Sequence, residues 1–339
     1  MRFFLPLLAF MLTLAGAAQA QFVPVAGLGA AQLAVVVNDD EANSVEIGEY
    51  YRKARNIPAA NIVHVRIPHR PHKLDAEQFE ALKAQIDARL GPEIQAVLMV
   101  WTAPYAVECN SLTSAYTLGL DSGLCAKSCA PSKPSSYFNA PQGKPYADYQ
   151  LRISMLLPTE SVEASKALID RGVLAGFATP AATAYFLQTS DVARSSRARF
   201  FPRSNKVPSK KLTIKTLQAD SVEQVGDIMV YETGLAQVPK LNTLKFVPGA
   251  LADHLTSFGG DLLAEGGQMS ILRWLDAGAT ASYGTVSEPC NHWQKFPNPA
   301  VLLSHYLRGN SAIEAYWKSV AWPAQGVFIG EPLAAPYRR

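Results

Sequence analysis

The chain has 339 residues, of which 48% are apolar and 17% are charged, and its formal net charge at pH 7 is +3. A chain of this length and polarity builds a sizeable core, which excludes an intrinsically disordered protein. The nearly neutral charge gives no electrostatic reason to expect a nucleic-acid partner.

The first twenty residues have the pattern of a secretory signal peptide. Arg2 provides a short positive segment, residues 3–14 are apolar, and Ala18-Gln19-Ala20 is a small-x-small cleavage site. We therefore expect a secreted or periplasmic protein that is cut after Ala20, with residues 21–339 forming a single domain. An uncleaved anchor is the alternative. No other apolar run is long enough to span a bilayer, so no transmembrane segment is expected after cleavage.

Export changes the interpretation of the cysteines, because an even number in an oxidising compartment favours disulfide bonds. The chain has four: Cys109, Cys125, Cys129 and Cys290. They allow three pairings, and the sequence leaves all three open. The spacing of Cys125 and Cys129 is not that of a redox or zinc motif, and no cofactor is predicted.

The segment before Thr102 alternates between apolar strands and amphipathic helices. Strands are predicted at residues 33–37, 63–67 and 96–101. Ser44 is expected to cap the first helix, and Asp75 and Gln78 form a capping box for the second. Short links between these elements predict parallel pairing with right-handed crossovers.

Regular patterning is lost from Thr102 to Tyr149. This stretch holds three of the four cysteines and a run rich in proline and serine. A loop of that length in a compact domain is usually tethered or functional. We expect an inserted loop tethered by disulfides, with a lid over the carboxyl edge of the sheet as the alternative.

Strands and helices resume after the inserted loop. Further strands are predicted at residues 151–157, 184–187, 228–231, 244–247, 279–283 and 327–329. Ser161 is expected to cap a helix over residues 162–174, and Ser311 and Glu314 form a capping box for the last helix. This order of elements predicts an α/β protein with a mostly parallel central sheet flanked by helices.

A basic stretch interrupts this pattern. Residues Arg194 to Lys211 include seven basic side chains and no acidic one. In an exported protein we interpret it as a solvated loop rather than a site for polyanions.

Two polar loops follow predicted strands near the end of the chain. The first carries Asp253, His254, Thr256 and Ser257, and the second carries Glu288, Cys290, Asn291 and His292. The carboxyl ends of neighbouring parallel strands meet at one edge of a sheet, where α/β proteins bind their ligands. The sequence therefore predicts that these loops form a site for a peptide or another small ligand.

Hydrolase chemistry is the alternative for the same loops. In one version Cys290 is a nucleophile and His292 or His254 is the base. An oxidising compartment instead favours a disulfide at Cys290, for example with Cys109.

A metal-dependent hydrolase is the other version. It would use Asp253, His254, Glu288 and His292, with Asp39 and Asp40 expected nearby. No signature such as H-E-x-x-H is present, so no metal site is predicted.

The order of elements resembles that of the gingipain-type, caspase-like cysteine peptidases. Gly330-Glu331-Pro332-Leu333 resembles the G-D-P-x-L turn near the end of that family. The resemblance implies a three-layer, caspase-like sandwich. N-D-D-E-A-N-S at residues 38–44, L-T-S-F-G-G at 255–260 and G-A-T-A-S-Y-G-T-V at 278–286 resemble a family of exported bacterial proteins. That family is itself similar to the peptidases only at a distance, and the resemblance implies no reaction.

The resemblance also implies where a peptidase dyad would lie. Those enzymes carry a histidine at the end of one strand and a cysteine at the end of the next, so that the imidazole serves the thiolate nucleophile. Here the two positions fall near Tyr231-Glu232-Thr233-Gly234 and Pro248-Gly249-Ala250-Leu251, which contain neither residue. The resemblance therefore implies a non-peptidase member of the fold.

Overall fold

The computed structural model of the protein describes residues 27–141, 143–177, 179–264 and 266–338. The signal peptide expected at residues 1–20 lies outside the described residues. In those described ranges, no helix is both long enough and apolar enough to cross a membrane.

Strands and helices alternate along most of the described chain. The strands are β1 (Leu33–Asn38), β2 (Ile62–Val65), β3 (Lys73–Leu74), β4 (Ala96–Val100), β5 (Ala106–Val107), β6 (Asn110–Ser111), β7 (Ile153–Leu157), β8 (Ala182–Gln188), β9 (Asn205–Val207), β10 (Leu212–Gln218), β11 (Ile228–Thr233), β12 (Phe246–His254), β13 (Ala281–Thr285) and β14 (Gly326–Gly330). The α-helices are α1 (Ala42–Arg55), α2 (Ala76–Asp87), α3 (Leu112–Leu118), α4 (Pro145–Tyr149), α5 (Val162–Leu174), α6 (Leu272–Asp276), α7 (Pro299–Leu307) and α8 (Ala312–Ser319).

One large sheet runs through the molecule. It has 11 strands in the order β2-β1-β4-β7-β14-β13-β12-β11-β8-β10-β9. Neighbouring strands are parallel except for the pairs β13–β14 and β9–β10. β1, β4, β7 and β14 are buried along their whole length, as expected for strands covered on both faces. The predicted α/β fold with a mostly parallel sheet is confirmed.

β14 joins two halves of the sheet that run in opposite directions. It pairs in parallel with β7 and antiparallel with β13. The carboxyl ends of β1, β4 and β7 therefore lie at one edge of the sheet, and those of β8, β11, β12 and β13 lie at the other. Asp39 and Asp40 follow β1 and pair with His64 and Arg66. The expectation that these two acids lie near Asp253 is wrong, because the direction of the sheet reverses between them.

Local hydrogen bonds explain where several helices begin. Asp75 and Gln78 form the predicted capping box at α2, and Ser161 accepts from the amide of Ala164 at α5. Ser44 was expected to cap α1, and that prediction is wrong because α1 begins before it. The buried hydroxyl of Ser44 instead accepts from the amide of Asn38 and donates to the carbonyl of Val100. It ties α1 to the sheet.

The stretch from Thr102 to Tyr149 is more regular than its sequence indicates. It contains α3 and α4 and contributes β5 and β6 to a three-stranded sheet with β3. Ser287, which follows β13, donates to the carbonyl of Cys109 at 2.6 Å. The inserted segment therefore contacts the loop that follows β13.

Two disulfides tether the inserted segment, as the sequence predicts. They join Cys109 to Cys125 and Cys129 to Cys290. The suggested pairing of Cys290 with Cys109 is wrong. Asn110 and Asp121 exchange side-chain and backbone hydrogen bonds that bring Cys125 back to Cys109.

Candidate functional site

The two predicted polar loops leave neighbouring parallel strands at the same edge of the sheet. β12 pairs with β13, with Leu251 opposite Ala281. The Thr285 hydroxyl donates to the carbonyl of Ser257 at 2.8 Å, and the amide of Gly260 donates to the carbonyl of Thr285 at 2.8 Å. We call residues 255–261 and 286–292 the β12–β13 edge.

The two loops can approach this closely because glycines face each other. A Cβ atom added to Gly284 would lie 2.7 Å from the amide nitrogen of Gly260, and one added to Gly260 would lie 2.5 Å from the carbonyl oxygen of Gly284. Contacts that short require the backbone to move. Gly260 and Gly284 therefore fix the separation of the two loops rather than leaving room for a ligand.

β12 is longer than its sequence indicates, which places Asp253 and His254 on a strand instead of in a loop. Neither side chain has any exposed surface. Residues 248–251, expected near the carboxyl end of a strand, lie inside β12. The residues that end β11 and β12 are Glu232-Thr233 and Asp253-His254.

A buried arginine lies across the ends of these two strands. Nη2 of Arg197 is 2.5 Å from Oδ1 of Asp253, and its Nη1 is 3.2 Å from Oε2 of Glu232. Glu232 and Asp253 are register partners in parallel strands, so their side chains lie on the same face of the sheet. Arg197 belongs to the basic stretch interpreted as solvated. For Arg197 that interpretation is wrong, because its side chain is only 1% exposed.

Two buried carboxyl groups thus share one buried guanidinium. Burial raises the pKa of Glu232 well above its usual value and raises the pKa of Asp253 as well, although the charge of Arg197 opposes both shifts. The cluster therefore favours one negative charge balanced by one positive charge. We call these three residues the Arg197 cluster.

His254 lies on the opposite face of β12 and uses both ring nitrogens. Its Nδ1 accepts from Nε1 of Trp274 at 3.0 Å, which leaves Nε2 to donate to the carbonyl of Met269 at 3.1 Å. Burial lowers the pKa of His254 to about 3. A neutral ring with both nitrogens engaged has none left for a metal or for a thiol.

A hydrogen-bond network below the surface supports the first loop. The hydroxyl of the buried Thr256 accepts from Nε of Arg194 at 3.1 Å and donates to Oε1 of Gln268 at 2.6 Å. Gln268 also accepts from the amide of Phe258. Ser257 is 7% exposed and Phe258 is 40% exposed. Phe258 and the partly exposed Asp261 are therefore the part of this loop that a ligand would meet, whereas Ser257 is almost fully buried.

The second loop is anchored at several points and keeps its polar side chains accessible. Glu288, Asn291 and His292 are all partly exposed. Oε1 of Glu288 accepts from the amide of Cys290 at 2.7 Å, and the disulfide to Cys129 ties the loop to the inserted segment. Ser196 donates to the carbonyl of Asn291 at 2.7 Å, which links this loop to the one after β8.

Residues after β8 complete the edge, and their place there follows from strand order. The rings of Phe200 and Trp293 have centroids 4.5 Å apart, and the guanidinium of Arg199 lies 5.7 Å from the ring centroid of Trp293. β8 is parallel to β11, so the segment after it emerges beside the β12–β13 edge. If the sequence had shown that β8 pairs with β11, it would have placed Arg194, Arg199 and Phe200 beside the β12–β13 edge.

The structure separates the four side chains considered as metal ligands. Asp253 and His254 lie on opposite faces of β12, Glu288 accepts a hydrogen bond within its own loop, and the ring of His292 packs 6.1 Å from that of Trp322. Across the described ranges, no group of three or more His, Cys, Asp or Glu side chains is placed to hold a metal ion.

Comparison with solved structures finds this arrangement of elements in known proteins. Gingipain R, an arginine-specific cysteine proteinase, matches over 93% of this chain and 80% of its own, with a TM-score of 0.51 and 11% sequence identity. The fold is gingipain-like. A second solved structure, described as a protease, matches over 91% of this chain and 79% of its own, with a TM-score of 0.47 and 11% identity. No family model and no curated protein matches the sequence.

The gingipain-like resemblance expected from the sequence is thus confirmed for the fold. At 11% identity the likeness extends to the arrangement of strands and helices and to nothing further.

Removing Arg197 tests its importance for the fold. We expect Arg197→Met to lower the free energy of unfolding by about 3–5 kcal/mol, because it leaves two buried carboxyl groups without a cation. Arg203→Met is the matched control, since Arg203 is exposed in the same basic stretch, and should change stability by less than about 0.5 kcal/mol. Urea unfolding at neutral pH measures both. Similar losses in the two variants would contradict a special role for Arg197.

The buried His254 predicts a pH dependence of stability. Its pKa in the folded protein, about 3, lies below the ordinary value of 6.5. The stabilisation that the neutral imidazole gives to the folded state is therefore complete above pH 6.5 and decreases as the pH falls below it. Between about pH 6 and pH 4, the unfolding free energy of the wild type should fall more steeply than that of His254→Gln, by up to about 1.4 kcal/mol per pH unit. Urea unfolding over this range gives both slopes, and equal slopes would contradict a neutral, buried His254.

Proposed function

We propose that this protein is an exported, non-peptidase member of the gingipain-like fold that binds a peptide or other small ligand at the β12–β13 edge. One observation carries the proposal. The positions that the resemblance implies for the peptidase histidine and cysteine, near residues 231–234 and 248–251, contain neither residue. The ends of β11 and β12 instead carry Glu232 and Asp253, which are buried against Arg197.

Export is the first part of the proposal. It is supported by the signal-peptide pattern ending at Ala20 and by the two disulfides, which persist in oxidising compartments. We propose that the mature protein is the single domain formed by residues 21–339.

The accessible surface of the edge suits a peptide. Glu288, Asn291 and His292 offer hydrogen-bond donors and acceptors beside the exposed ring of Phe258. Arg199 and the aromatic pair Phe200–Trp293 adjoin them, and aromatic and arginine side chains are enriched where proteins bind partners.

Four residues expected from the sequence to contact the ligand have another role in the proposal. Asp253, His254 and Thr256 are fully buried, and Ser257 is only 7% exposed. We assign them to positioning the loops, and we assign ligand contact to the accessible residues of the β12–β13 edge.

Peptide capture tests the location of the site. Immobilised protein is exposed to a tryptic digest of casein, and the affinity of any retained peptide is then measured by calorimetry. We expect His292→Ala and Trp293→Leu to weaken binding about tenfold or more, as for central contact residues. His64→Ala is the control, because His64 is exposed on β2 in the other half of the sheet. A digest from which nothing is retained, or variants that bind like the wild type, would count against the proposal.

A hydrolase is the second candidate, and one observation favours it. Cys290 and His292 are both partly exposed in one loop, so reduction of the Cys129–Cys290 disulfide would place a thiol near an imidazole.

Fluorogenic peptides distinguish the two candidates. We expect no cleavage with or without dithiothreitol and with or without a chelator. Cleavage that requires the reductant and is lost in Cys290→Ser would establish a cysteine hydrolase. Cleavage that only the chelator abolishes would establish a metal-dependent one.

A further inference from the structure

A cavity of about 430 Å³ lies between α5 and α6. None of the residues that line it belongs to the β12–β13 edge. Its walls are largely hydrocarbon, contributed by Pro158, Ala164, Ala167, Leu168, Leu272 and Leu275. The space exists because α6 is only five residues long and α5 presents alanines to it.

The serines that line this cavity form hydrogen bonds at the start of α5. Ser161 accepts from the amide of Ala164, and Ser165 donates to the carbonyls of Pro158 and Ser161. They therefore add little polarity to the cavity walls, which favours an apolar occupant.

Arg171 is the cationic residue of the cavity. Its Nη2 donates to the carbonyls of Leu275 and Ala279, each at 3.1 Å. Its buried Nε has no acceptor among the described residues. Burial lowers the pKa of Arg171, and Asp276 acts on it as a charge without forming an ion pair. Within the described ranges, the guanidinium thus has no ion-pair partner, which a half-buried cation normally has.

Two acids lie at the rim of the cavity. Glu160 is already paired with Arg70 at 2.7 Å. Asp276 is exposed and remains in water. Neither carboxylate forms an ion pair with Arg171, although the charge of Asp276 acts on it, so an anion from outside the chain could pair with it directly.

We propose that this cavity binds a small amphiphile with a hydrocarbon body and one anionic head group, such as a medium-chain carboxylate. The head group pairs with Arg171, and the hydrocarbon packs on Leu168, Leu272 and Leu275. The positive charge of Arg171 favours an anionic head group, and the apolar walls favour a hydrocarbon chain. The volume lies within the range of about 300–1,000 Å³ that small-molecule sites occupy. This site is separate from the β12–β13 edge and does not depend on the function proposed for it.

Calorimetric titration of the purified protein with octanoate tests the proposal. We expect saturable binding of one octanoate per chain, tightening about fourfold for each CH₂ added up to decanoate. Octan-1-ol, which lacks the charge, should bind at least about tenfold more weakly. The absence of saturable binding, or octan-1-ol binding as tightly as octanoate, would overturn the proposal.

Substitution of Arg171 tests the head-group contact. We expect Arg171→Gln to weaken octanoate binding by about 10- to 100-fold and to leave octan-1-ol binding unchanged. Arg152→Gln is the matched control for stability, since Arg152 also donates to two backbone carbonyls, those of Gly91 and Ile94, and lies outside the cavity. An octanoate affinity that is the same in Arg171→Gln as in the wild type would refute the assignment.

Two further variants test the cavity without removing Arg171. Ala167 is exposed and lines the cavity, so Ala167→Trp should fill the space and abolish octanoate binding while the unfolding midpoint stays near that of the wild type. Asp276→Asn should tighten binding, because it removes a negative charge close to the head group. Octanoate binding that survives Ala167→Trp would place the ligand elsewhere and overturn the proposal.

Discussion

The arrangement of the β12–β13 edge depends on one buried cation. Arg197 comes from the loop after β8, pairs with Glu232 on β11 and Asp253 on β12, and donates to the carbonyls of Thr233 and Pro297. Without it, two carboxyl groups on adjacent strands would face each other in the interior. A single guanidinium thereby fixes the relative positions of two strand ends and the segments that follow β8 and precede α7.

The charged groups of the Arg197 cluster lie at the ends of β11 and β12. The Arg197 cluster is sealed from water beneath the surface, whereas the accessible groups lie above it on loops held by a disulfide and by the hydrogen bonds of Thr256 and Thr285. The buried ion cluster and these contacts together fix the positions of the accessible loops.

Local patterns predicted local structure well and long-range structure poorly. The bounds of α5 follow directly from its cap at Ser161 and its apolar face. The length of β12 did not follow, because Pro248-Gly249 indicates a turn. In the molecule β12 continues past Gly249, which takes a φ of 86°, while its pairing with β11 shifts register between Ile228 and Val230.

The burial of Arg197 and the reversal at β14 could not be predicted for a related reason. A basic stretch with no acid within it shows no sign that its partners are Glu232 and Asp253, which lie on strands much later in the chain. The direction of β14 likewise depends on which strands it joins, and apolar periodicity carries no information about that choice.

The position of β14 also sets the order in which the protein can be completed. It is the last strand of the described chain, yet it lies in the middle of the large sheet and supplies the pairing between β7 and β13. Until the polypeptide has been synthesised as far as Gly330, β7 and β13 each have one unpaired edge. Unpaired strand edges tend to pair with other chains. The continuous 11-stranded sheet therefore forms only once β14 has been inserted between β7 and β13.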